Sequence, residues 1–274
     1  MHPTLSIVAA VNDEEVLRTN LAASPVLKSG QVPLIVEKGH ASAGRAYNAG
    51  IAKSASDIVI LAHQDVYLPE GWEAKLQAAV RRLEDEHADW GVLGVYGMRA
   101  SGRAVGRVWS SGLGKEIGSA FNTPEPVVSL DELVLVIRRA NGLTFDERLP
   151  GFHLYGTDIV QSALACGLGA YAIHAPVIHN SKPVRVLDRA YWNAYRFEQQ
   201  KWKLNLPILT CIVPITRLGW PRFRYRLSRL KARLLGRQPA ERTRGDPRAL
   251  AGRLGYESPG AVGMATGYQE ISVS

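Results

Sequence analysis

The first half of the chain alternates short apolar runs with stretches of helical spacing. Three apolar runs are rich in β-branched side chains and too short for ordinary helices, which predicts buried strands. These runs are residues 5–11 (LSIVAAV), 33–37 (PLIVE) and 58–62 (IVILA). Segments with polar starts and helical periodicity are predicted to form helices, namely residues 12–23, 45–54 and 72–83. Strands alternating with helices predict an α/β fold with a mainly parallel sheet and helices on both faces.

The second half continues this pattern less regularly. Residues 90–98 and 170–178 are each predicted to form one buried strand, and residues 159–166 a helix that begins at Thr157 or Asp158. The Gly-rich and Ser-rich residues 101–119 predict loops or short hairpins.

Composition sets broad bounds on the protein. The chain has 274 residues, of which 46% are hydrophobic and 21% are charged, so it can bury a full core as one domain or one domain with an appendage. Cys166 and Cys211 lack metal-type spacing and predict reduced thiols in a cytoplasmic protein. We expect neither a secretory signal nor a membrane span, which needs ~20 apolar residues.

The positive charge is concentrated in one segment. The net charge is +8, yet residues 185–237 carry 13 Lys or Arg against 2 Asp or Glu, while residues 1–184 carry 16 against 19. We therefore predict a catalytic domain over residues 1–183, a basic aromatic and helical extension over residues 184–237, and a flexible tail over residues 238–274. No helix-turn-helix, zinc or RNA-binding signature is present, which argues against nucleic acid as a partner.

A helix beginning at Pro221 would be amphipathic. Phe223, Leu227, Leu230 and Leu234 would share one face, and Arg222, Arg226, Arg229 and Arg233 another. Two interpretations stay open for this helix. It either attaches peripherally to an anionic membrane surface, such as the inner face of the plasma membrane, or packs its apolar face on the catalytic domain.

Polar residues follow each of the first three predicted strands. These are Asn12, Asp13 and Glu14, then Glu37, and then His63, Gln64 and Asp65. Carboxyl ends of parallel strands meet at one sheet edge, where ligands bind in open α/β folds, so this convergence predicts a nucleotide site. The chain has neither GxGxxG nor GxxxxGK[ST], so a Mg²⁺ or Mn²⁺ ion held by Asp65 is the simplest way to neutralise phosphate. Alternatively, Asp65 is only a turn or helix-cap acid.

Three blocks carry a family resemblance: LSIVAAVNDEE, GRAYNAGIAKSASDIVILAHQDVYLPEGW, and FDERLPGFHLYGTDIVQSALACGLGAYAI followed by IHNS. They resemble GT-A family 2 glycosyltransferases, and within them the streptomycin-biosynthesis-type (StrF-like) group. The resemblance implies a Rossmann-like GT-A fold and an inverting transfer from a nucleotide-diphosphate sugar, UDP- or dTDP-linked. The acceptor would be a glycan, a lipid-linked molecule or a small molecule. His63 stands where most members have the first acid of Asp-x-Asp.

The resemblance also implies residue roles. Asp158 would be the general base, with helix capping as its structural alternative, and we expect it to face one cavity together with Asp65. Asp65 would bind the metal with His179, for which His153 is the competitor. Predicted substrate contacts are Asn12, Asp13, Glu14, Glu37, Arg45, Asn48, His63, Gln64 and His153. Asp131 or Glu132 would border the acceptor site or form a turn. The alternative function is a catalytically inactive, membrane-peripheral protein of the same fold that binds nucleotide sugars.

Overall fold

The computed structural model describes residues 3–183, 186–234 and 245–257. The strands are β1 (Leu5–Ala10), β2 (Leu34–Glu37), β3 (Ile58–Ala62), β4 (Val66–Tyr67), β5 (Trp90–Gly94), β6 (Tyr96–Met98), β7 (Ala104–Ser110), β8 (Lys115–Gly118), β9 (Glu125–Pro126), β10 (Ser129–Leu130), β11 (Val134–Arg138), β12 (Gly169–Ala172) and β13 (Val177–His179). The α-helices are α1 (Glu14–Thr19), α2 (Pro25–Lys28), α3 (Ala43–Lys53), α4 (Trp72–Asp85), α5 (Tyr155–Ala165), α6 (Arg189–Lys201), α7 (Trp220–Leu234) and α8 (Pro247–Arg253).

The central sheet has the strand order β2-β1-β3-β11-β5-β12-β9. Only β11 and β9 run against the other five strands. Alternate residues of β3 face opposite sides: Val59 and Leu61 join a cluster with α3 and α5, while Ile60 joins a cluster with α1 and α4. The structure thus confirms an α/β fold with a mainly parallel sheet covered by helices on both faces.

A second sheet, in the order β10-β6-β7-β13-β4 with β8 beside β7, carries part of the site. The two strands predicted over residues 90–98 and 170–178 each divide between the sheets, so both predictions of one continuous strand are wrong. In the later segment Pro176 lies between β12 and β13, where it cannot donate a ladder hydrogen bond. The antiparallel β7–β8 pair confirms a hairpin within residues 101–119.

Helix α5 begins earlier than predicted. Leu154, with a left-handed φ of 64°, precedes its first residue, and the Asp158 N–H already donates to the Leu154 carbonyl at 2.9 Å. Asp158 therefore lies inside the helix and does not cap it. A Cβ at Gly156 would lie 2.6 Å from the Leu130 carbonyl oxygen, so only glycine allows this close approach of α5 to β10.

The C-terminal part packs on the domain. Tyr191 and Tyr195 of α6 belong to the same core cluster as α3 and α5. Leu250 and Tyr256 pack with Tyr67 and Ile178 of the second sheet, so the flexible-tail prediction does not hold for residues 245–257. The other tail residues, 238–244 and 258–274, lie outside the described part. Among the described residues, no helix combines the length and apolarity needed to cross a bilayer.

Candidate metal and nucleotide site

A cavity of about 420 Å³ opens at the carboxyl ends of β1, β2 and β3. Its polar lining comprises Asn12, Glu37, His40, His63, Gln64 and Asp65, and its aromatic lining comprises Tyr47, Phe152 and Tyr155. The prediction that polar residues from these three strand ends converge is confirmed for Asn12, Glu37 and His63 to Asp65. The convergence follows from the parallel pairing of β1 with both β2 and β3.

His63, Asp65 and His179 form a group that could hold a metal ion. One potential ligand atom from each lies within 4.8 Å of the other two. His179 Nε2 is 3.6 Å from Asp65 Oδ1, and His63 Nδ1 is 4.0 Å from the same oxygen. Two imidazoles and one carboxylate are a donor set that suits a divalent transition metal such as Mn²⁺.

The pairing of β4 with β13 brings Asp65 and His179 together. His179 lies opposite Val66 in the antiparallel ladder, and the Asn180 N–H donates to the Asp65 carbonyl at 2.8 Å. The Asn180 side chain also donates to Asn20 Oδ1 at 2.8 Å and to the Gly245 carbonyl at 2.9 Å. Asn180 therefore connects the Asp65 backbone to two segments distant in sequence.

Hydrogen bonding orients the His63 ring for metal binding. Tyr155 Oη lies 2.6 Å from His63 Nε2 and 3.2 Å from the Glu132 carbonyl oxygen, so in one of the two His63 tautomers the hydroxyl donates to that carbonyl and accepts from Nε2–H. That tautomer leaves Nδ1, the nitrogen nearer Asp65, with a free lone pair. Burial lowers the pKa of His63 and so favours the neutral imidazole that a metal requires. The residues therefore fit a metal ion by geometry and by protonation.

Gln64 fixes the loop after β1. Its Oε1 accepts from the N–H groups of Asn12 and Asp13 at 3.0 and 3.1 Å, and its Nε2 donates to Asn12 Oδ1 at 2.6 Å. Gln64 lines the cavity, but its side-chain amide is already hydrogen-bonded to Asn12 and Asp13. These bonds hold the backbone of the loop after β1.

Glu37 is a buried carboxylate that also lines the cavity. It accepts from Lys53 Nζ at 2.6 Å and lies 3.0 Å from His40 Nε2. Burial alone would raise its pKa, but hydrogen bonds from Lys53 and His40 outweigh burial and lower it. Glu37 is therefore an anion that could accept hydrogen bonds from ribose hydroxyls.

Several predicted substrate residues do not line this cavity. Asp13 caps α1 by accepting from the Val16 N–H at 3.0 Å, and Glu14 pairs with Lys38 at the surface. Asn48 uses both amide atoms to hold the Phe145 backbone at 2.9 Å. These contacts give Asp13 and Asn48 structural roles.

Two further predicted residues also lie apart from the cavity lining. Arg45 is exposed on α3, and His153 is 3.8 Å from Asp188 with its ring against Tyr191. The structure thus groups His179, and not His153, with Asp65. Arg107 of β7 pairs with Glu116 and stacks on Tyr256.

Asp158 is 1% exposed and does not line the cavity. Its Oδ1 accepts from Lys201 Nζ at 2.6 Å and from Trp202 Nε1 at 2.9 Å. The expectation that Asp65 and Asp158 face one open cavity is therefore not met. Lys201 also reaches Asp146 at 3.0 Å, so one ammonium joins the carboxylates of Asp146 and Asp158 to the end of α6.

Two other acids have raised pKa values. Glu198 is fully buried beside Asp158, and burial together with the Asp158 charge raises its pKa to about 10. Burial and the neighbouring Asp131 raise the pKa of Glu132 to about 8. Glu132 lies between β10 and β11, so the sequence alternative of a turn between strands agrees with its position.

Five residues of this region were not predicted from the sequence: His40, Tyr47, Phe152, Tyr155 and Lys201. Tyr47, Phe152 and Tyr155 lie inside the motifs RAYNAG and GFHLYGTD, whose aromatic residues were available as a signal. Lys201 had no such signal, because its role depends on α6 packing beside α5.

No protein-family model matches the chain. A protein of Fuscovulum blasticum, named "ATP synthase subunits region ORF 6", is 32% identical over 171 residues, which cover 59% of this chain and 66% of that protein. This chain therefore spans slightly less than two thirds of that relative, whose name states no activity.

Similar solved structures include GalNAc-T7 with UDP, GalNAc and Mn²⁺ (13% identity, TM-score 0.47), covering 72% of this chain and 48% of that one. The mannosyltransferase PcManGT from Pyrobaculum calidifontis with GDP-Man and Mn²⁺ is 11% identical with a TM-score of 0.42, covering 73% and 61%. S. aureus TarS 1–349 is 13% identical with a TM-score of 0.38, covering 65% and 59%. All three TM-scores are below 0.5.

Proposed function

We propose that the protein is a metal-dependent glycosyltransferase of the family 2, StrF-like type that uses a nucleotide-diphosphate sugar. The observation that carries the proposal is that His63 and Asp65, which line the cavity together with Asn12 and Glu37, also form a metal-ligating group with His179. A group of side chains that could bind a cation, next to a polar and aromatic pocket, matches a ligand with a diphosphate at one end and a nucleoside at the other.

The donor would lie along the cavity. Asn12 and Glu37 would contact the base and ribose, while the exposed ring of Phe152 supplies apolar surface for stacking. His63, Asp65 and His179 would hold Mn²⁺ or Mg²⁺, with Mn²⁺ favoured by two imidazole donors. When bound, the ion would offset the charge of the departing diphosphate. The UDP or dTDP assignment follows from the resemblance.

Asp158 is proposed as the base that takes the acceptor hydroxyl's proton in an inverting displacement. To act in this way it must lose its contact with Lys201, because that ammonium occupies Oδ1 at 2.6 Å. Donor and acceptor binding would therefore have to open the end of α6. Asp131 and Glu132 are proposed to border the acceptor, which would be a glycan, a lipid-linked molecule or a small molecule.

The donor half of the proposal is tested by calorimetric titration of UDP- and dTDP-sugars with and without Mn²⁺. We expect Mn²⁺-dependent binding that Asp65→Ala abolishes, because it removes the carboxylate between both imidazoles. The matched control is Asp85→Ala, which removes an exposed acid of α4. Metal-independent binding, or normal binding by Asp65→Ala, would contradict the metal site.

The catalytic half is tested by release of free nucleotide in the presence of water and an acceptor library. Turnover above the Asp65→Ala background supports a transferase. Donor binding with no release under any of these conditions would instead support the inactive binding protein considered from the sequence. Asp158→Asn should keep donor binding and lose transfer; transfer at the normal rate would exclude Asp158 as the base.

A further inference from the structure

The start of α7 and the loop before it expose large apolar side chains. Leu218 is 84% exposed, Trp220 60%, Phe223 50% and Leu227 48%, and none of them lines the cavity. Trp220, Phe223 and Leu227 are spaced by three and four residues, so they form one stripe along the helix. A contiguous exposed apolar stripe marks an interaction surface.

The opposite side of α7 is the side that packs on the protein. Tyr225 Oη accepts from the Leu187 N–H at 2.7 Å, and its ring lies 5.5 Å from that of Trp192. The Arg222 guanidinium lies 5.5 Å above the same indole. These contacts hold the helix through Arg222 and Tyr225, so the stripe of Trp220, Phe223 and Leu227 is directed away from the domain.

This orientation bears on the two interpretations left open by the sequence. The alternative in which the apolar face packs on the catalytic domain fails for Phe223 and Leu227. The side chains of Leu230 and Leu234 on the same face, and those of Arg226, Arg229 and Arg233, lie outside the described part. The described residues therefore leave the stripe without an occupant.

The positive charge around the stripe indicates which kind of partner covers it. Residues 199–234 contain nine Lys or Arg and no Asp or Glu, and Lys203, Arg217 and Arg224 are exposed. A second copy of the chain would bring the same positive charge to the interface, which opposes self-association. Nucleic acid would pair with arginines but would leave the apolar stripe in water. An anionic bilayer satisfies both features, because lipid phosphates neutralise the basic residues while the acyl boundary covers the stripe.

We propose that α7 lies in the interface of an anionic membrane, with Trp220, Phe223 and Leu227 inserted and the flanking basic residues at the headgroups. This attachment is separate from donor binding, since no residue of the stripe belongs to the metal and nucleotide site. It would hold the cavity close to a membrane surface during sugar transfer.

Sedimentation of the full chain with vesicles tests this proposal. Phosphatidylcholine vesicles are compared with vesicles that also contain phosphatidylglycerol. We expect at least about tenfold stronger binding to the anionic vesicles, lost as salt rises from ~0.1 to ~0.5 M. Phe223→Ser/Leu227→Ser should weaken that binding by about tenfold or more, because it removes half-exposed apolar side chains from the stripe.

The matched control is Leu113→Ser/Leu164→Ser, which changes two exposed leucines elsewhere. Equal binding to neutral and anionic vesicles, or equal losses for the stripe and control variants, would overturn the proposal. So would self-association or oligonucleotide binding through the stripe without vesicle binding. Mn²⁺-dependent donor binding by Phe223→Ser/Leu227→Ser should match the parent chain, which separates a failure here from a failure of the proposed function.

Discussion

Replacing Lys201 with Met tests whether the C-terminal extension holds Asp158 as a buried anion. The substitution keeps the long apolar stem and removes the ammonium that lies 2.6 Å from Asp158 and 3.0 Å from Asp146. Asp158, at 1% exposure, would lose its charged donor and keep the Trp202 indole, while Asp146 would keep Arg148. The cost should therefore come mainly from Asp158.

Removing one partner of a buried ion pair costs about 3–5 kcal/mol, because a desolvated charge stays behind. The Lys201 side chain is 20% exposed, so water can partly replace it and the lower end, about 3 kcal/mol, is expected. That is a large share of the ~5–15 kcal/mol by which domains are stable.

Urea unfolding of the full chain, followed by tryptophan fluorescence, measures this loss. Lys38→Met is the control, since Lys38 pairs with exposed Glu14 at the surface and its loss should cost far less than the loss of Lys201. Asp158→Asn/Lys201→Met should be more stable than Lys201→Met alone, because no uncompensated charge is left buried. The reasoning is refuted if Lys201→Met and Lys38→Met lose the same free energy of unfolding.

Three further predictions concern the metal group and the buried acids. His179→Ala should weaken Mn²⁺ binding in calorimetry by at least about tenfold, whereas His153→Ala should leave it unchanged; the reverse result would make His153 the ligand. Asn180→Ala should weaken Mn²⁺ binding about 10-fold with circular dichroism unchanged, because it frees the strand end that carries His179; unchanged affinity would rule out a positioning role. Glu198 has a pKa of about 10 in the folded chain against an ordinary value of 4.5, so the folded state binds more protons between these values and stability falls as pH rises through this window. Urea unfolding at pH ~6 and pH ~9 should therefore show a fall in the free energy of unfolding for the parent chain and none of this fall for Glu198→Gln. An equal fall in both chains would contradict the assignment to Glu198.

The sheet edge that carries the candidate site could be located without tertiary information. The strand predicted over residues 58–62 coincides with β3 because apolar run length and the polar residues after it are local signals. The parallel order of the first three strands follows from their alternation with helices, and it brings Asn12, Glu37 and Asp65 together.

Which of several chemically similar residues lies in the site depends on the tertiary structure. His179 and His153 are equivalent as sequence candidates, and pairing of β4 with β13 is what brings His179 to 3.6 Å from Asp65. The environment of Asp158 depends on Lys201, which is far along the chain and reaches it only because α6 packs near α5.

The sequence by itself determined where strands end, which residue types meet at the sheet edge, and that α7 is amphipathic, because these properties follow from the spacing of neighbouring residues. Only the tertiary structure decided which histidine joins Asp65, that Asp158 is paired with an ammonium, and which side of α7 faces away from the domain. Those outcomes depend on contacts between distant segments, whose energies depend on burial and geometry that no local pattern records.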